Sequence, residues 1–123
     1  DTASSATLCA LIAARERVSE FDVDRNGVDK KMTVYASGQT HSSIEKSVRI
    51  AGLGSEQFRT TPTDEKLRID VGAFEKQVQM DLEAGCLPTM AVATVGTTAT
   101  TAVDQVKEMA AVCQRYNIWL LRG

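Results

Sequence analysis

Histidine occurs once in this chain of 123 residues, and cysteine three times, at Cys9, Cys86 and Cys113. The cysteines lie far apart, are odd in number and have neither zinc nor redox spacing. A metal site and a disulfide framework are therefore not expected; free, buried thiols in a reducing compartment are. Charge of one sign is also scarce: 14 basic residues against 16 acidic ones give a net charge of −2, with the two signs interspersed. No basic face for nucleic acid or an anionic membrane follows from that pattern. No apolar run approaches membrane length, and no basic-then-apolar signal segment opens the chain. Internal repeats and low-complexity tracts are absent as well. The expectation is a soluble, cytoplasmic chain.

What is present is ordinary for a folded domain: 43% hydrophobic and 24% charged residues, with room for one modest core. Leu8, Leu11 and Ile12 have helical spacing in an alanine-rich stretch reaching about Val18, with Thr2 or Ser4 as cap. A polar loop is predicted over 22–31. Met32 to Ala36 reads as a buried strand. Ser42 and Glu45 form an S-x-x-E capping box for a helix whose inner stripe is Ile44, Val48 and Ala51, stopped by Gly52 and Gly54. A short strand is predicted over 57–60, then a turn over 62–65. Asp70 should cap a helix burying Val71, Phe74, Val78 and Leu82, with Lys76, Gln77 and Asp81 directed elsewhere and Gly85 as its stop. Thr89 to Val95 is almost continuously apolar, as a central parallel strand is. Asp104 is expected to cap a helix with Val106, Met109, Ala110 and Cys113 inside, and Ile118 to Leu121 is the last strand. The alternation of strands and helices predicts an α/β fold with a mainly parallel sheet and flanking helices.

Three turns rich in small or hydroxylated residues sit at the edges of these elements. Thr2-Ala3-Ser4-Ser5 opens a helix, where unpaired N–H groups and the helix dipole favour a phosphate; a plain cap is the other reading. His41 follows the strand ending at Ala36, where it could equally be a solvent-facing histidine near a helix start. Gly96-Thr97-Thr98 lies beyond the carboxyl end of the apolar strand, where ligands gather in open α/β sheets, although a simple β-turn has the same composition.

The stretches DTASSATLCALIAARE (1–16), VYASGQTHSSIEK (34–46) and AVATVGTT (91–98) together resemble the group II pyridoxal-phosphate (PLP) decarboxylases of aromatic amino acids. The resemblance runs along nearly the whole chain, while the chain corresponds to only part of that family's large domain. It implies an aspartate-aminotransferase-like, fold-type-I architecture for 1–123. The family's amino-terminal segment, its cofactor-binding lysine region and its small domain would lie outside this chain. Ala3 and Ser4 fall on the family's phosphate-contact positions. His41 matches the histidine that lies flat against the cofactor ring, and so is the implied catalytic residue as well as a cofactor contact. Thr98 matches a threonine that contacts PLP. The implied reaction converts an aromatic L-amino acid to an amine and carbon dioxide, and the family is usually dimeric.

Departures accompany the match. Ser5 and Gly38 stand where the family often has glutamate and aspartate. In the family the last strand reads WLHVDAA and its aspartate pairs with the pyridine nitrogen of the cofactor; here Trp119 and Leu120 match and Gly123 occupies the aspartate's place. No lysine of the chain matches the family's cofactor-binding lysine. The isolated chain is accordingly expected to lack activity. The alternatives are a non-catalytic α/β module that associates through exposed sheet edges, or part of a glutamate decarboxylase or another fold-type-I PLP enzyme.

Overall fold

The computed structural model describes residues 2–20, 25, 27, 31–36, 41–61, 69–93 and 100–122, without the side chains at 2–5, 41–43, 100–105 and 122. Among the described residues, four long α-helices and four strands follow in order: α1 (Thr2–Ser19), β1 (Met32–Ala36), α2 (His41–Ile50), β2 (Phe58–Thr60), α3 (Val71–Glu83), β3 (Leu87–Ala93), α4 (Thr100–Arg115) and β4 (Trp119–Arg122), with a short 3-10 turn (Ser55–Gln57) before β2. The strands form one sheet in the order β2-β1-β3-β4, and every neighbouring pair is parallel. This bears out the α/β class with a parallel sheet. The turn expected over 62–65, the strand end expected at 94–95 and most of the loop expected over 22–31 lie outside the described residues.

Alternation along the strands divides the core into two layers. Met32, Val34 and Ala36 of β1, with Met90 and Val92 of β3, pack against Leu11 and Ala14 of α1, Ile44 and Val48 of α2, and Ala51 just beyond it. Tyr35, Ala91 and Ala93 face the other way, onto Phe74 and Val78 of α3 and Val106, Met109, Val112 and Cys113 of α4. The sheet is therefore covered on both faces, which is why β1 and β3 read as nearly unbroken apolar runs. Pro88 sits inside β3 although it cannot donate to a ladder. The pairing slips there: Thr33 lies opposite Pro88, but Val34 lies opposite Met90. The extra residue, Thr89, donates its hydroxyl to the Leu87 carbonyl at 2.9 Å.

Three helices end alike. Gly52 (φ 82°), Gly85 (φ 86°) and Asn117 (φ 59°) take the left-handed conformation. The amide of each donates back to the carbonyl of Arg49, Leu82 or Gln114, and the following amide donates to that of Val48, Asp81 or Cys113. These are Schellman caps. Each is followed by a buried side chain, Leu53, Cys86 or Ile118, that seals the helix end against the core.

Several expectations need correction. α2 begins at His41, so Ser42 lies inside its first turn and does not precede it as a cap. α4 begins at Thr100, which puts Asp104 inside the helix as well. Cys9 is exposed on the outer side of α1, while Cys86 and Cys113 are buried as expected. On α3 the inner face turns at its last residues: Leu82 is 42% exposed and Asp81 only 5%. Asp81 follows Phe74 by seven positions and Val78 by three, the spacing of one helical face.

Two measurements follow. In the native chain a thiol reagent should modify Cys9 rapidly and leave Cys86 and Cys113 unreacted; three equally fast thiols would contradict this packing. Burial also pushes the Cys113 thiol up to about 12 from its ordinary 9.0. Below pH 9 that group is protonated whether the chain is folded or not, so it leaves stability untouched. Between about 9 and about 12 the unfolded chain releases the proton while the folded one holds it, so stability falls as pH rises. Urea unfolding across that window should show a shallower alkaline loss for Cys113→Ala than for the parent chain, whatever the variant's absolute stability.

Candidate active site

The direction of each helix determines what gathers at the sheet's carboxyl edge. Near the end of α1 the Arg17 guanidinium donates to Asn117 Oδ1 at 2.9 Å and stacks 5.5 Å from the centre of the Trp119 ring. Both partners mark the amino end of β4, so α1 runs against the strands. Arg15 Nη1 donates to the Ala51 carbonyl at 2.7 Å, which ties the end of α2 beside the end of α1. α3 and α4 reach the amino ends of β3 and β4 through the short caps at Gly85 and Asn117. All four helices thus end at the amino edge and begin at the opposite one. At about 1.5 Å per residue, an 18-residue α1 spans about 27 Å, enough to cross the sheet.

The carboxyl edge has one special place. β1 and β3 are neighbours, yet the chain leaving β1 passes through α2 on one face to reach β2, whereas the chain leaving β3 passes through α4 on the other to reach β4. Adjacent strands whose connections diverge to opposite faces leave a crevice between them, the usual ligand position in open parallel sheets. In sequence, β1 leads to α2 and β3 leads to α4. The amino ends of α1, α2 and α4 lie at the same edge, where each helix presents the positive end of its dipole.

Of the sequence-derived site residues, Ala3 and Ser4 lie in the first turn of α1 and His41 is the first residue of α2, both at this edge. Their backbones are placed; the side chains of Ser4 and His41, like all of Thr98, Gly38, Gly96 and Thr97, lie outside what is described. Among the described residues no group of three or more His, Cys, Asp or Glu could hold a metal ion, and no helix is long and apolar enough to cross a membrane.

One polar cluster was missed by sequence reasoning. The buried Asp81 carboxylate accepts from the Tyr35 hydroxyl at 2.6 Å, Gln77 Nε2 at 3.1 Å and Arg59 Nε at 3.3 Å. Thr33 Oγ1 lies 2.8 Å from the Tyr35 oxygen. Because that oxygen's own proton points at the carboxylate, Thr33 is the donor. Burial, and then the bond to Asp81, push the Tyr35 hydroxyl's pKa well above its ordinary value, so it stays a neutral donor. Phase along α3 was the available signal, since Asp81 falls on the stripe of Phe74 and Val78.

Comparison with known proteins follows the same lines. The model of the pyridoxal-dependent decarboxylase conserved domain matches residues 1–121. A tyrosine decarboxylase of Oryza sativa subsp. japonica is 42% identical over 123 residues, covering 97% of this chain and 22% of that protein. An aromatic-L-amino-acid decarboxylase of Drosophila lebanonensis is 38% identical over 125 residues, with 97% and 30% covered. The crystal structure of Oryza sativa TDC with PLP superposes with a TM-score of 0.80 at 35% identity, covering 98% of this chain and 26% of that one. The chain thus spans between a fifth and a third of the length of these relatives.

Proposed function

The chain belongs to the pyridoxal-dependent decarboxylase family, and from that premise we propose that it forms the part of a PLP-dependent decarboxylase's large domain that cradles the cofactor. The observation that carries this reading is the crevice between β1 and β3, at the sheet edge where three helices begin. The donor set fits the group. Backbone N–H groups opening α1, with Ala3 and Ser4 among them, suit a phosphate because small side chains let it approach and the dipole favours its charge. His41, opening α2 beside the crevice, offers an imidazole face to a flat ring and a hydrogen bond to its substituents. Thr98, in the sequence between β3 and α4, brings a hydroxyl.

When bound, PLP supplies an electron sink for the pair left as a carboxylate departs. This chain's own residues would bind and orient it: the opening of α1 would hold the phosphate, and His41 and Thr98 would hold the ring. Gly123 supplies no carboxylate for the ring nitrogen, and no lysine of the chain matches the family's cofactor-binding lysine. Binding without turnover is therefore the activity proposed for these 123 residues alone. The substrate class proposed for the whole protein is the aromatic L-amino acids, supported by relatives named tyrosine and aromatic-L-amino-acid decarboxylases at 38–42% identity. The active form proposed is a cytoplasmic homodimer.

Titrating the chain with PLP and following cofactor absorbance tests this. Saturable binding is expected, weakened about tenfold in Ser4→Ala, His41→Ala and Thr98→Ala, a loss of about 1.4 kcal/mol each. Equal affinity in all four proteins would remove the site assignment.

A further inference from the structure

The buried cluster around Asp81 lies on the opposite side of the sheet from α2, yet it grips the strand that leads into His41. Tyr35 is the penultimate residue of β1, and its backbone pairs with Arg59 of β2 on one side and Ala91 of β3 on the other. Its side chain is fully buried, packs edge-on against Phe74 with ring centres 5.3 Å apart, and donates to Asp81. Asp81 in turn holds Arg59. One carboxylate therefore ties α3, β1 and β2 together. A close-packed apolar contact would tolerate small sliding of these elements, whereas a buried carboxylate with three donors loses a bond when any of them moves. Such a tether costs desolvation, and a well-packed apolar side chain would give comparable stability without it.

We propose that Tyr35 and Asp81 are positioning residues for the cofactor cradle: their bond sets where β1 ends, and thereby where the connection to His41 begins. This rests on the functional reading above and extends it, because neither residue touches the crevice. The tether's consequence lies in geometry at the carboxyl edge more than in overall stability. Removing the Tyr35 hydroxyl leaves ring packing against Phe74 intact and takes away the directional bond from the strand to Asp81.

The experiment compares Tyr35→Phe and Asp81→Asn with Val78→Ala, a control from the same helix and the same core layer that makes no bond to β1. PLP affinity is measured by absorbance titration at a temperature where urea unfolding shows each protein fully folded. The tether predicts at least about threefold weaker PLP binding in Tyr35→Phe and Asp81→Asn, with Val78→Ala binding as the parent does despite its own loss of stability. If the three variants bind alike, or if affinity simply tracks stability across them, the proposal is overturned while the cradle stands. An unsubstituted chain that does not bind PLP would overturn the cradle and this inference together.

Discussion

The parallel pairing of β1 with β3 is the constraint on which the molecule depends. Both strands are covered on both faces, so their side chains must be apolar almost throughout, and each connection needs a helix to bring the chain back. Crossovers between parallel strands are right-handed, and β1 connects to β2 in one direction along the sheet while β3 connects to β4 in the other, so their helices lie on opposite faces. α2 takes one face and α4 the other, and the crevice at the carboxyl edge results from that division. The crevice is thus a consequence of topology before any side chain is considered.

The helix ends reinforce the arrangement. Caps at Gly52, Gly85 and Asn117 stop α2, α3 and α4 at the amino edge, each sealed by the apolar residue that follows. Stopping every helix there means starting every helix at the other edge, so unpaired N–H groups and dipoles accumulate on the side where a phosphate would be favoured. The same Asn117 also receives Arg17 from α1, so the side chain that marks the start of β4 fixes the direction of the first helix too.

Much of this was legible from the residues. Ile44, Val48 and Ala51 announce the inner stripe of α2, Gly52 and Gly85 announce two of the stops, and Asp70 accepts from the Ala73 amide as its position suggests. Helix starts were less legible: Ser42 and Asp104 are good caps by residue type, but α2 and α4 begin before them, because a serine or aspartate inside a first turn carries the same local preference. Asp81 was misread because its charge outweighed its phase. Only the three-dimensional meeting of Tyr35, Arg59 and Gln77 makes a buried carboxylate tolerable, and no local pattern announces that meeting. For the site itself, the resemblance proposes Ala3, Ser4, His41 and Thr98; the topology puts the openings of α1 and α2 at one edge of the sheet.

Because histidine occurs once, the imidazole of residue 41 is a reporter that needs no assignment. A proton–carbon spectrum of the chain, recorded as PLP is added, follows the single histidine ring resonance against cofactor concentration. A cradle between β1 and β3 predicts a saturable shift of that resonance, as a flat aromatic ring settles against the imidazole. A resonance that stays in place while PLP binds elsewhere on the chain would contradict it.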